Sequence, residues 1–556
     1  MHVEQKEAGQ QVESFRIPIT VRIGVTGHRD LTSEKINTLR QSVREVLGEL
    51  DRVLTHTPHT YIVVSPLAEG ADRLVAVEVL GWHSANCEPP CLEVPLPMPA
   101  DEYAKDFATI ESKTEFRELL ARAGWCKELD SCIVNFEQST NDTEEVRSLK
   151  KENRRKAYRK VGHWVADNCD VLVAIWNGDK AKGIGGTGEI VEYSDTIGRA
   201  VSWIHSETRE VNHDKYLNRL LDSLEHHDVF NAEDLSISQL MAETDRRFKR
   251  LTRQAEEVKV DLNILAPIRH SLLSQFVRAT TLAARYQARY LIAGTWVYIL
   301  AATSVATVTV VTLFFEGRSL FGIPGERLIW LEVAQIVVIV MLLAVSALRG
   351  WHRKWIDYRF LAERLRAAMF LFVAGIPCDP PALAGQRRAS DEWTIRAFGW
   401  IASMCPVPSS VEAIDPVKNF VLDAWIEDQR KFYEGKCHLH EFRHKWLEIA
   451  GYAVFGLTAV AAILHANVRS NFLASFAIIL PAVGASLAGI RTFREHLRNS
   501  KRYESMAEYL KRVVAEIKKE SDAKHLQSIL LEANEMMMRE HTEWRVVMLP
   551  DLGARM

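Results

Sequence analysis

Hydrophobic and polar positions divide this 556-residue chain into two parts of different character. Up to about residue 270, short apolar runs alternate with amphipathic, charged stretches, as in soluble proteins that combine strands and helices. Beyond that point, apolar stretches of membrane length alternate with strongly charged helical segments. A chain of this length is also too long for one hydrophobic core. The pattern therefore predicts an α/β N-terminal domain followed by an all-α membrane domain with four transmembrane helices.

Six short apolar runs in the first part are predicted strands: Ile19–Val25, Tyr61–Val64, Leu92–Val94, Cys132–Phe136, Val171–Ile175 and Val201–Ile204. Helical patterns lie between several of them: Glu34–Leu50, Asp72–Leu80, Glu115–Ala123, Leu149–Asp167 and Glu189–Arg199. Alternating strands and helices predict a mainly parallel, Rossmann-like sheet. Ligands of such sheets bind beyond the carboxyl ends of the strands, so the loops at those ends are the first place to look for function.

Glycines and small polar residues follow three of the predicted strands. The most informative stretch runs from Trp176 to Glu189, where a glycine-rich turn joins a buried strand to the start of a helix. Glycines let the backbone approach a phosphate closely, and the free N–H groups and the dipole at a helix start attract its charge. We expect a nucleotide or a nucleotide-like phosphate as ligand. The three loops give these candidate ligand-binding residues: Thr26, Gly27, His28, Arg29, Ser65, Glu69, Gly70, Asp72, Trp176, Asn177, Gly185, Gly186, Thr187, Gly188 and Glu189.

Several of these residues also have structural interpretations. Arg29 could pair with Asp30 or Asp72, and Asp72 could cap its helix rather than contact a ligand. The segment Glu144–Lys160 carries both charges and is predicted to be an exposed helix face, although the arginines near its C-terminal end could reach a phosphate.

Four apolar stretches are long enough to cross a hydrocarbon core of about 30 Å. They cover about residues 290–315, 328–348, 449–466 and 472–490. Basic residues are concentrated before the first and third stretches and after the second and fourth. By the positive-inside rule, both termini and the segment between the second and third spans are cytosolic. We therefore expect a multi-pass protein of the inner (plasma) membrane whose N-terminal domain lies in the cytosol.

The two membrane hairpins are predicted to be copies of one unit. Tyr358–Arg366 follows the first hairpin and Tyr503–Lys511 follows the second, and both fit the pattern Tyr-x-x-x-Ala-Glu-x-Leu-basic. Upstream, Gln275 and Gln429 lie at matching places, each fourteen residues before an arginine. Matches on both sides of both hairpins indicate a duplication.

Polar residues within the spans are candidates for a pore. Thr303 and Thr307 lie in the first span, and Glu332 lies near the start of the second. An intramembrane carboxylate is a functional candidate by default. Alternatively, Glu332 lies at the membrane interface and the threonines form hydrogen bonds between helices.

Composition narrows the classes of partner. A net charge of −3 gives no sign of binding to a nucleic-acid polymer. The eight cysteines are scattered without zinc-type spacing, so we expect reduced thiols and no metal site. His440 and His444 have a helical spacing that suits a metal, but no further ligand motif accompanies them. No cofactor is expected apart from the nucleotide-derived ligand.

The repeated unit resembles the SLATT family of two-transmembrane effector domains, over about residues 272–371 and 426–517. This resemblance implies a pore-forming or membrane-disrupting effector of prokaryotic nucleotide-signalled conflict systems, acting on membrane lipid as a homo-oligomer. The chain departs from the simplest family pattern because it carries two units, which leaves the number of subunits open.

The glycine-rich loops resemble the SLOG superfamily, over about residues 18–206. This Rossmann-like group includes the LOG phosphoribohydrolases, DNA-processing protein A and the N-terminal regions of TRPM channels. The resemblance rests on Gly185-Gly186-Thr187 with Glu189, and on Gly70-Ala71-Asp72. It implies a sensor of nucleotide second messengers, some of which derive from NAD as ADP-ribose species.

A LOG-like enzyme is the alternative to a sensor. The resemblance would make Glu189 the catalytic glutamate of a membrane-anchored nucleotide N-glycosidase. However, Ile184 stands where the LOG family has a proline, and only Arg29 and Arg73 are available as guesses for the catalytic arginine. We therefore rank hydrolysis below sensing.

The predicted organisation has seven segments. They are a disordered N-terminus (1–17), the SLOG-like domain (18–206), a helical connector (207–271), the first SLATT-like unit (272–371), a cytosolic connector (372–425), the second SLATT-like unit (426–517) and a C-terminal helical tail (518–556). The predicted protein is a messenger-sensing membrane effector of antiviral defence.

Overall fold

The computed structural model describes residues 15–129, 143–179, 185–320, 323–377, 392–405 and 414–548. The predicted strand Cys132–Phe136 and most of the predicted disordered N-terminus lie outside these residues. The chain divides into two units, Met1–Ile237 with Asp379–Ser403, and Ser238–Cys378 with Met404–Met556. The predicted connector 372–425 is thus divided between the two units.

A seven-stranded sheet forms the centre of the first unit. Its strands are β1 (Ile19–Gly27), β2 (His59–Val64), β3 (Cys87–Leu96), β4 (Trp125–Glu128), β5 (Val171–Trp176), β6 (Ala200–His205) and β7 (Val211–His213). The order across the sheet is β4-β3-β2-β1-β5-β6-β7, with every pair parallel except β6 and β7. The predicted α/β fold is confirmed. The sequence pattern missed β4 and β7, which are short and mostly exposed and so lack a clear apolar run.

Among the described residues, the α-helices between Ile19 and Ile237 are, in chain order, α1 (Ser33–Arg52), α2 (Ala71–Leu80), α3 (Ala100–Tyr103), α4 (Ile110–Ala121), α5 (Glu144–Asp167), α6 (Thr187–Thr196) and α7 (Lys215–Ala232). Alternate residues of the strands point to opposite faces. In β5, Val173 and Ile175 pack into the larger core, while Leu172 and Ala174 pack into a second core. The sheet is therefore covered on both faces, as its predominantly parallel strands require.

The remaining longer α-helices of the described residues are α8 (Ile237–Glu257), α9 (Ser274–Phe314), α10 (Gly325–Leu348), α11 (Trp351–Val373), α12 (Trp393–Ser403), α13 (Ile414–Val421), α14 (Asp428–Val468), α15 (Asn471–Phe493), α16 (His496–Lys519) and α17 (Ala523–Met548). A short antiparallel pair, Ser319–Leu320 with Ile323–Pro324, lies between α9 and α10.

Helix α12 belongs to the first unit although it follows the first membrane hairpin in the chain. The buried Trp393 packs its ring 5.2 Å from that of Phe230 in α7. Arg396 forms an ion pair with Asp170 at 2.8 Å, just before β5. These contacts explain why part of the predicted connector joins the α/β domain.

Four helical segments of the second unit are long and apolar enough to cross a membrane: Leu262–Phe314, Arg327–Val373, Ile414–Val468 and Asn471–Lys519. At most 17% of the most apolar stretch of each is buried in the protein. Exposed side chains such as Trp330, Leu348 and Ile463 would be costly in water over so large an area. The four predicted spans are confirmed as membrane-capable helices rather than buried helices of a soluble core.

The two hairpins repeat each other in structure. A π-helical segment precedes α9 and another precedes α14, and both of these helices have 41 residues. The next helices have 24 and 23 residues, and the returning helices have 23 and 24. A left-handed residue stands before each returning helix, Gly350 in the first repeat and Glu495 in the second. The backbone thus carries the internal repeat that the sequence motifs indicate.

Candidate functional site

The candidate site lies at the carboxyl ends of the central strands. Strand β1 has β2 on one side and β5 on the other, so the chain reverses its direction of winding beside β1. Ligands of doubly wound sheets bind in the crevice at such a point. A cavity of about 330 Å³ lies there. Seven predicted residues line it: Thr26, Gly27, Arg29, Asp72, Gly185, Gly186 and Thr187.

Two glycines bring the end of β1 against the start of α2. A Cβ on Gly27 would lie 2.3 Å from the Cβ of Ala71. Gly70 has a φ of +78°, and a Cβ there would lie 2.2 Å from the carbonyl oxygen of Arg29. The Ala71 N–H donates a 3.0 Å hydrogen bond to the carbonyl oxygen of His28. Only glycine allows this close approach, which fixes the wall of the cavity.

Asp72 forms a buried, acidic part of the wall. Its side chain accepts a 3.3 Å hydrogen bond from the N–H of Ala68, and its carbonyl oxygen accepts one from the hydroxyl of Ser65. Burial raises the pKa of Asp72 to about 7, against the opposing effects of that backbone hydrogen bond and of the charges of Arg29 and Arg73. The carboxyl group is therefore partly protonated near neutral pH, which reduces its repulsion of an anion.

Cationic and aromatic side chains complete the opposite wall. The guanidinium of Arg29 lies 5.0 Å from the centre of the Tyr158 ring, and Tyr103 packs beside that ring. The Tyr158 hydroxyl donates a hydrogen bond to Asp106, and the exposed Arg155 lies one helical turn before Arg159 on α5. In the part of the chain that the structure describes, neither Arg29 nor Arg155 forms an ion pair with a carboxylate. Arg29 and Arg155 thus remain available to an anion.

The glycine-rich turn forms the third wall. Gly185 has a φ of +82°, and a Cβ there would lie 2.9 Å from the backbone nitrogen of Arg159. Gly186 caps α6, a helix of ten residues, so the first N–H groups of that helix point out of its end. This helix start faces the same cavity as Arg29 and Arg155. The arrangement combines backbone donors, a helix dipole and two cations, and it is suited to a phosphate.

Glu189 closes the turn rather than lining the cavity. One of its carboxylate oxygens accepts a 2.5 Å hydrogen bond from the Gly185 N–H. The other carboxylate oxygen lies 2.7 Å from Nε of Arg159. A glutamate in the first turn that bonds back to the preceding backbone stabilises a helix start. This geometry gives Glu189 a role in holding the glycine turn against α5.

The other predicted residues lie around the cavity without lining it. His28 bonds through Nε2 to the side chain of Asn177 at 3.0 Å, and the hydroxyl of Ser112 donates to Glu69. These contacts join the loop after β1 to the loop after β5, and the loop after β2 to α4. The full set outside the lining is His28, Ser65, Glu69, Gly70, Trp176, Asn177, Gly188 and Glu189.

Arg73, the second candidate for a catalytic arginine, is held by contacts that stabilise the fold. Its Nε donates to the carbonyl oxygen of Leu67, and its guanidinium forms a 3.0 Å ion pair with Glu115. The guanidinium also packs 4.5 Å from the centre of the Phe107 ring. Arg73 therefore ties the loop after β2 to α4.

Sequence reasoning missed Tyr103 and Tyr158 as lining residues. Both lie on helices remote in sequence from the glycine loops, and no local pattern marks them. Arg155 lies on the charged helix α5, whose arginines the sequence indicates as possible phosphate ligands without singling out one of them. In the described ranges, no group of three or more histidine, cysteine, aspartate or glutamate residues is arranged to hold a metal.

The polar residues of the first span bond mainly within their own helix. The hydroxyl of Thr307 donates a hydrogen bond to the carbonyl oxygen of Thr303 at 2.8 Å. The hydroxyl of Thr303 donates one to the carbonyl oxygen of Leu300 at 3.1 Å. The side-chain amide of Gln335 in α10 lies 3.4 Å from the Thr303 hydroxyl. Glu332 is partly buried on α10. A polar contact thus crosses the first hairpin at the level of Thr303.

Comparison with known protein families identifies the C-terminal part of the chain. Residues 422–544 match the family model of the SMODS and SLOG-associating two-transmembrane effector domain 1, SLATT_1. This range contains the second π-helical segment, α14, α15, α16 and most of α17. No SLOG family model matches the N-terminal α/β domain. No curated protein and no solved structure matches the chain. The C-terminal part of this chain is therefore similar to a SLATT two-transmembrane effector domain.

Proposed function

We propose that this protein is a membrane effector controlled by a nucleotide-like messenger that binds the cavity beside β1. The observation that carries the proposal is the convergence of a helix start, two close-packed glycine loops and Arg29 on one cavity. This cavity belongs to the same chain as a SLATT-like membrane domain.

The chemistry of the cavity favours a ligand with both a phosphate and a flat ring. The start of α6 and the guanidinium groups of Arg29 and Arg155 supply donors and positive charge. The partly exposed Tyr158 ring, which the buried Tyr103 supports from behind, supplies aromatic surface beside Arg29 against which a base can pack. The cavity volume of about 330 Å³ lies in the range of small-molecule sites. ADP-ribose and cyclic nucleotides are the first candidates.

The ligand would act by joining parts of the domain that belong to different elements. Arg29 follows β1, Arg155 lies on α5 and Thr187 begins α6. A phosphate bound to all three holds these elements in one arrangement. Such a ligand shifts the protein toward the conformation to which it binds more tightly.

The membrane units would then open a pore or disrupt the bilayer, as part of prokaryotic antiviral defence by cell death. The SLATT match and the four membrane-capable helices support this part of the proposal. The protein would act as a homo-oligomer of the plasma membrane with its α/β domain in the cytosol. Thr303, Thr307 and Glu332 are the proposed polar positions of the pore.

The test is ligand binding by the full-length chain in detergent. The protein is incubated with a panel of cyclic nucleotides and ADP-ribose species, and the bound ligand is recovered for mass analysis. Binding with recovery of the intact ligand supports a sensor. Recovery of a cleaved ligand contradicts it and makes Glu189 the catalytic group to study, and absence of binding by the whole panel would remove the site assignment.

A further inference from the structure

A second cavity, of about 570 Å³, lies within the second unit. It is enclosed by α9 and α11 of the first repeat and by α14, α16 and the end of α15 of the second. Tyr290, where the first span begins, and Phe493, just past the fourth, both line it. The cavity therefore lies between the two repeats, at the basic ends of the membrane-spanning stretches.

Cationic groups dominate the lining of this cavity. Among the described residues that line it, five are arginine or lysine, against the single carboxylate of Glu495: Arg359, Lys436, Arg443, Arg494 and Arg502. Arg502 forms an ion pair with Glu540, and Arg359 lies 3.9 Å from Glu363.

Three of the cations have no such compensation. Among the residues that the structure describes, Lys436, Arg443 and Arg494 form no ion pair with a carboxylate. Arg494 instead donates to the carbonyl oxygen of Leu291 and to the hydroxyl of Thr295. Positive charges gathered around a partly enclosed space repel one another unless an anion joins them. The charges of these three side chains are therefore not balanced within the described protein, and an anion bound in the cavity would reduce their repulsion.

Apolar side chains form the part of the lining that continues into the spans. Leu291 and Ile292 lie in the first turn of the first span, and Trp355 is buried beside them on α11. A small soluble phosphate needs no such apolar wall. A phospholipid needs both surfaces, because its phosphate lies at the membrane border and its acyl chains continue along the helices. Basic pockets between transmembrane helices at this level are suited to lipid headgroups.

We propose that this cavity binds the phosphate of an anionic phospholipid headgroup, held between Arg359 of the first repeat and Arg443 and Arg494 of the second. The lipid would join the two repeats at their basic ends. This site is separate from the messenger site of the α/β domain and does not depend on it.

The internal repeat supplies a matched control for the test. Arg289 and Arg349 of the first repeat are the counterparts of Arg443 and Arg494, but they do not line the cavity. The full-length protein in detergent is titrated with phosphatidylglycerol and with phosphatidylcholine, and bound lipid is counted by native mass spectrometry. The double variants Arg443→Gln/Arg494→Gln and Arg289→Gln/Arg349→Gln remove the same charge from the same side.

We expect the unmodified protein to prefer phosphatidylglycerol and the Arg443→Gln/Arg494→Gln variant to lose roughly tenfold or more of that affinity, since hydrogen bonds to a charged group are removed. The Arg289→Gln/Arg349→Gln variant should keep the preference. Equal losses in both double variants would indicate general surface attraction and overturn the proposal. An unchanged preference in Arg443→Gln/Arg494→Gln would also overturn it.

Two further measurements complete the test. One identifies the source of the phosphate, and the other excludes a folding defect as the cause of weaker binding. Inorganic phosphate at the same concentration should not displace the lipid, and displacement would contradict the assignment to a lipid. Because Arg494 also bonds to α9, the single variant Arg443→Gln is measured alongside. Its side chain is exposed, so it should fold normally and still weaken phosphatidylglycerol binding.

Discussion

The cavity beside β1 and the cavity between the membrane repeats are both lined by cations, but they are built from different parts of the chain. The cavity beside β1 is shaped by backbone, through Gly27, Gly70 and the turn at Gly185. The cavity between the membrane repeats is shaped by side chains on helices, and its lining contains no glycine. The first should therefore be sensitive to a single added methyl group, and the second to the loss of charge.

The largest effect is expected from Gly70→Ala in the first cavity. The added Cβ would lie 2.2 Å from a backbone oxygen, at a φ of +78°. Left-handed strain and overlap together should lower the free energy of unfolding of the α/β domain by about 3 kcal/mol. The measurement is hydrogen exchange of strands β1 and β2, resolved by mass spectrometry. Gly48→Ala is the control, since its Cβ meets no atom within 4 Å and should stabilise α1 by about 0.5–1 kcal/mol. Equal protection in both variants would contradict the described packing.

Gly186→Asp should remove ligand binding without unfolding the domain. Gly186 has an extended backbone that any residue adopts, and aspartate is a favourable helix cap. Its negative charge would stand where the phosphate is proposed to bind, so we expect at least about a hundredfold loss of affinity, or roughly 2.7 kcal/mol. The neutral variant Gly186→Asn is the control and should lose much less. Similar affinities for the two variants would show that no anion binds at this helix start.

Asp72→Asn should make ligand binding and stability less dependent on pH. Burial raises the pKa of Asp72 to about 7, so the folded protein holds this proton more tightly than the unfolded chain. The stability contributed by the protonated group is thus present below the unfolded pKa and lost as pH rises through 7. At pH 8, Asp72→Asn should raise the free energy of unfolding by on the order of 2 kcal/mol.

The pH profile of binding checks the same feature. The unmodified protein should bind an anionic ligand less tightly as pH rises through 7, because Asp72 ionises beside the ligand. Titration calorimetry of Asp72→Asn should give a flatter profile between pH 6 and pH 8. Parallel profiles for the two proteins would place Asp72 away from the ligand.

The smallest expected effect concerns a difference between the two membrane repeats. Glu495 adopts the left-handed conformation that Gly350 adopts in the first repeat, and one of its carboxylate oxygens is buried without a hydrogen-bond partner among the described residues. Glu495→Gly should therefore stabilise the membrane unit, but by less than the about 1 kcal/mol of the backbone strain, because it also removes the carboxylate that lines the cationic cavity. The reverse change, Gly350→Ala, should destabilise it by a similar amount, since its φ is also positive. Thermal unfolding in detergent measures both, and a destabilising Glu495→Gly would indicate that this carboxylate contributes favourably to its cavity.

Much of the fold could be predicted because its signals are local. Long uncharged stretches mark the four membrane-capable helices, and the strands with the clearest apolar runs appear at nearly their predicted bounds. Helix α12 could not be placed, because its packing of Trp393 against Phe230 joins residues far apart in sequence.

The same contrast between local sequence signals and tertiary packing applies to the candidate sites. Glycine turns in the sequence indicate the first cavity, because the backbone geometry there requires glycine. Tyr103 and Tyr158 have no local pattern and enter the cavity only through tertiary packing. His496 likewise gives no signal in the sequence, although its Nδ1 lies 3.1 Å from Nδ1 of His440 in the folded protein. Sequence reasoning therefore found the backbone part of the first site and missed most of the side-chain part.

Dye release from liposomes that contain the full-length protein tests the central claim most directly. Each ligand that binds in the recovery experiment is added to proteoliposomes of the unmodified protein and of Gly186→Asp. The account predicts rapid release on addition of ligand to the unmodified protein, and none from Gly186→Asp at the same concentration. Release that is equal with and without ligand, or equal in the two proteins, would contradict control of the membrane domain by the cavity beside β1.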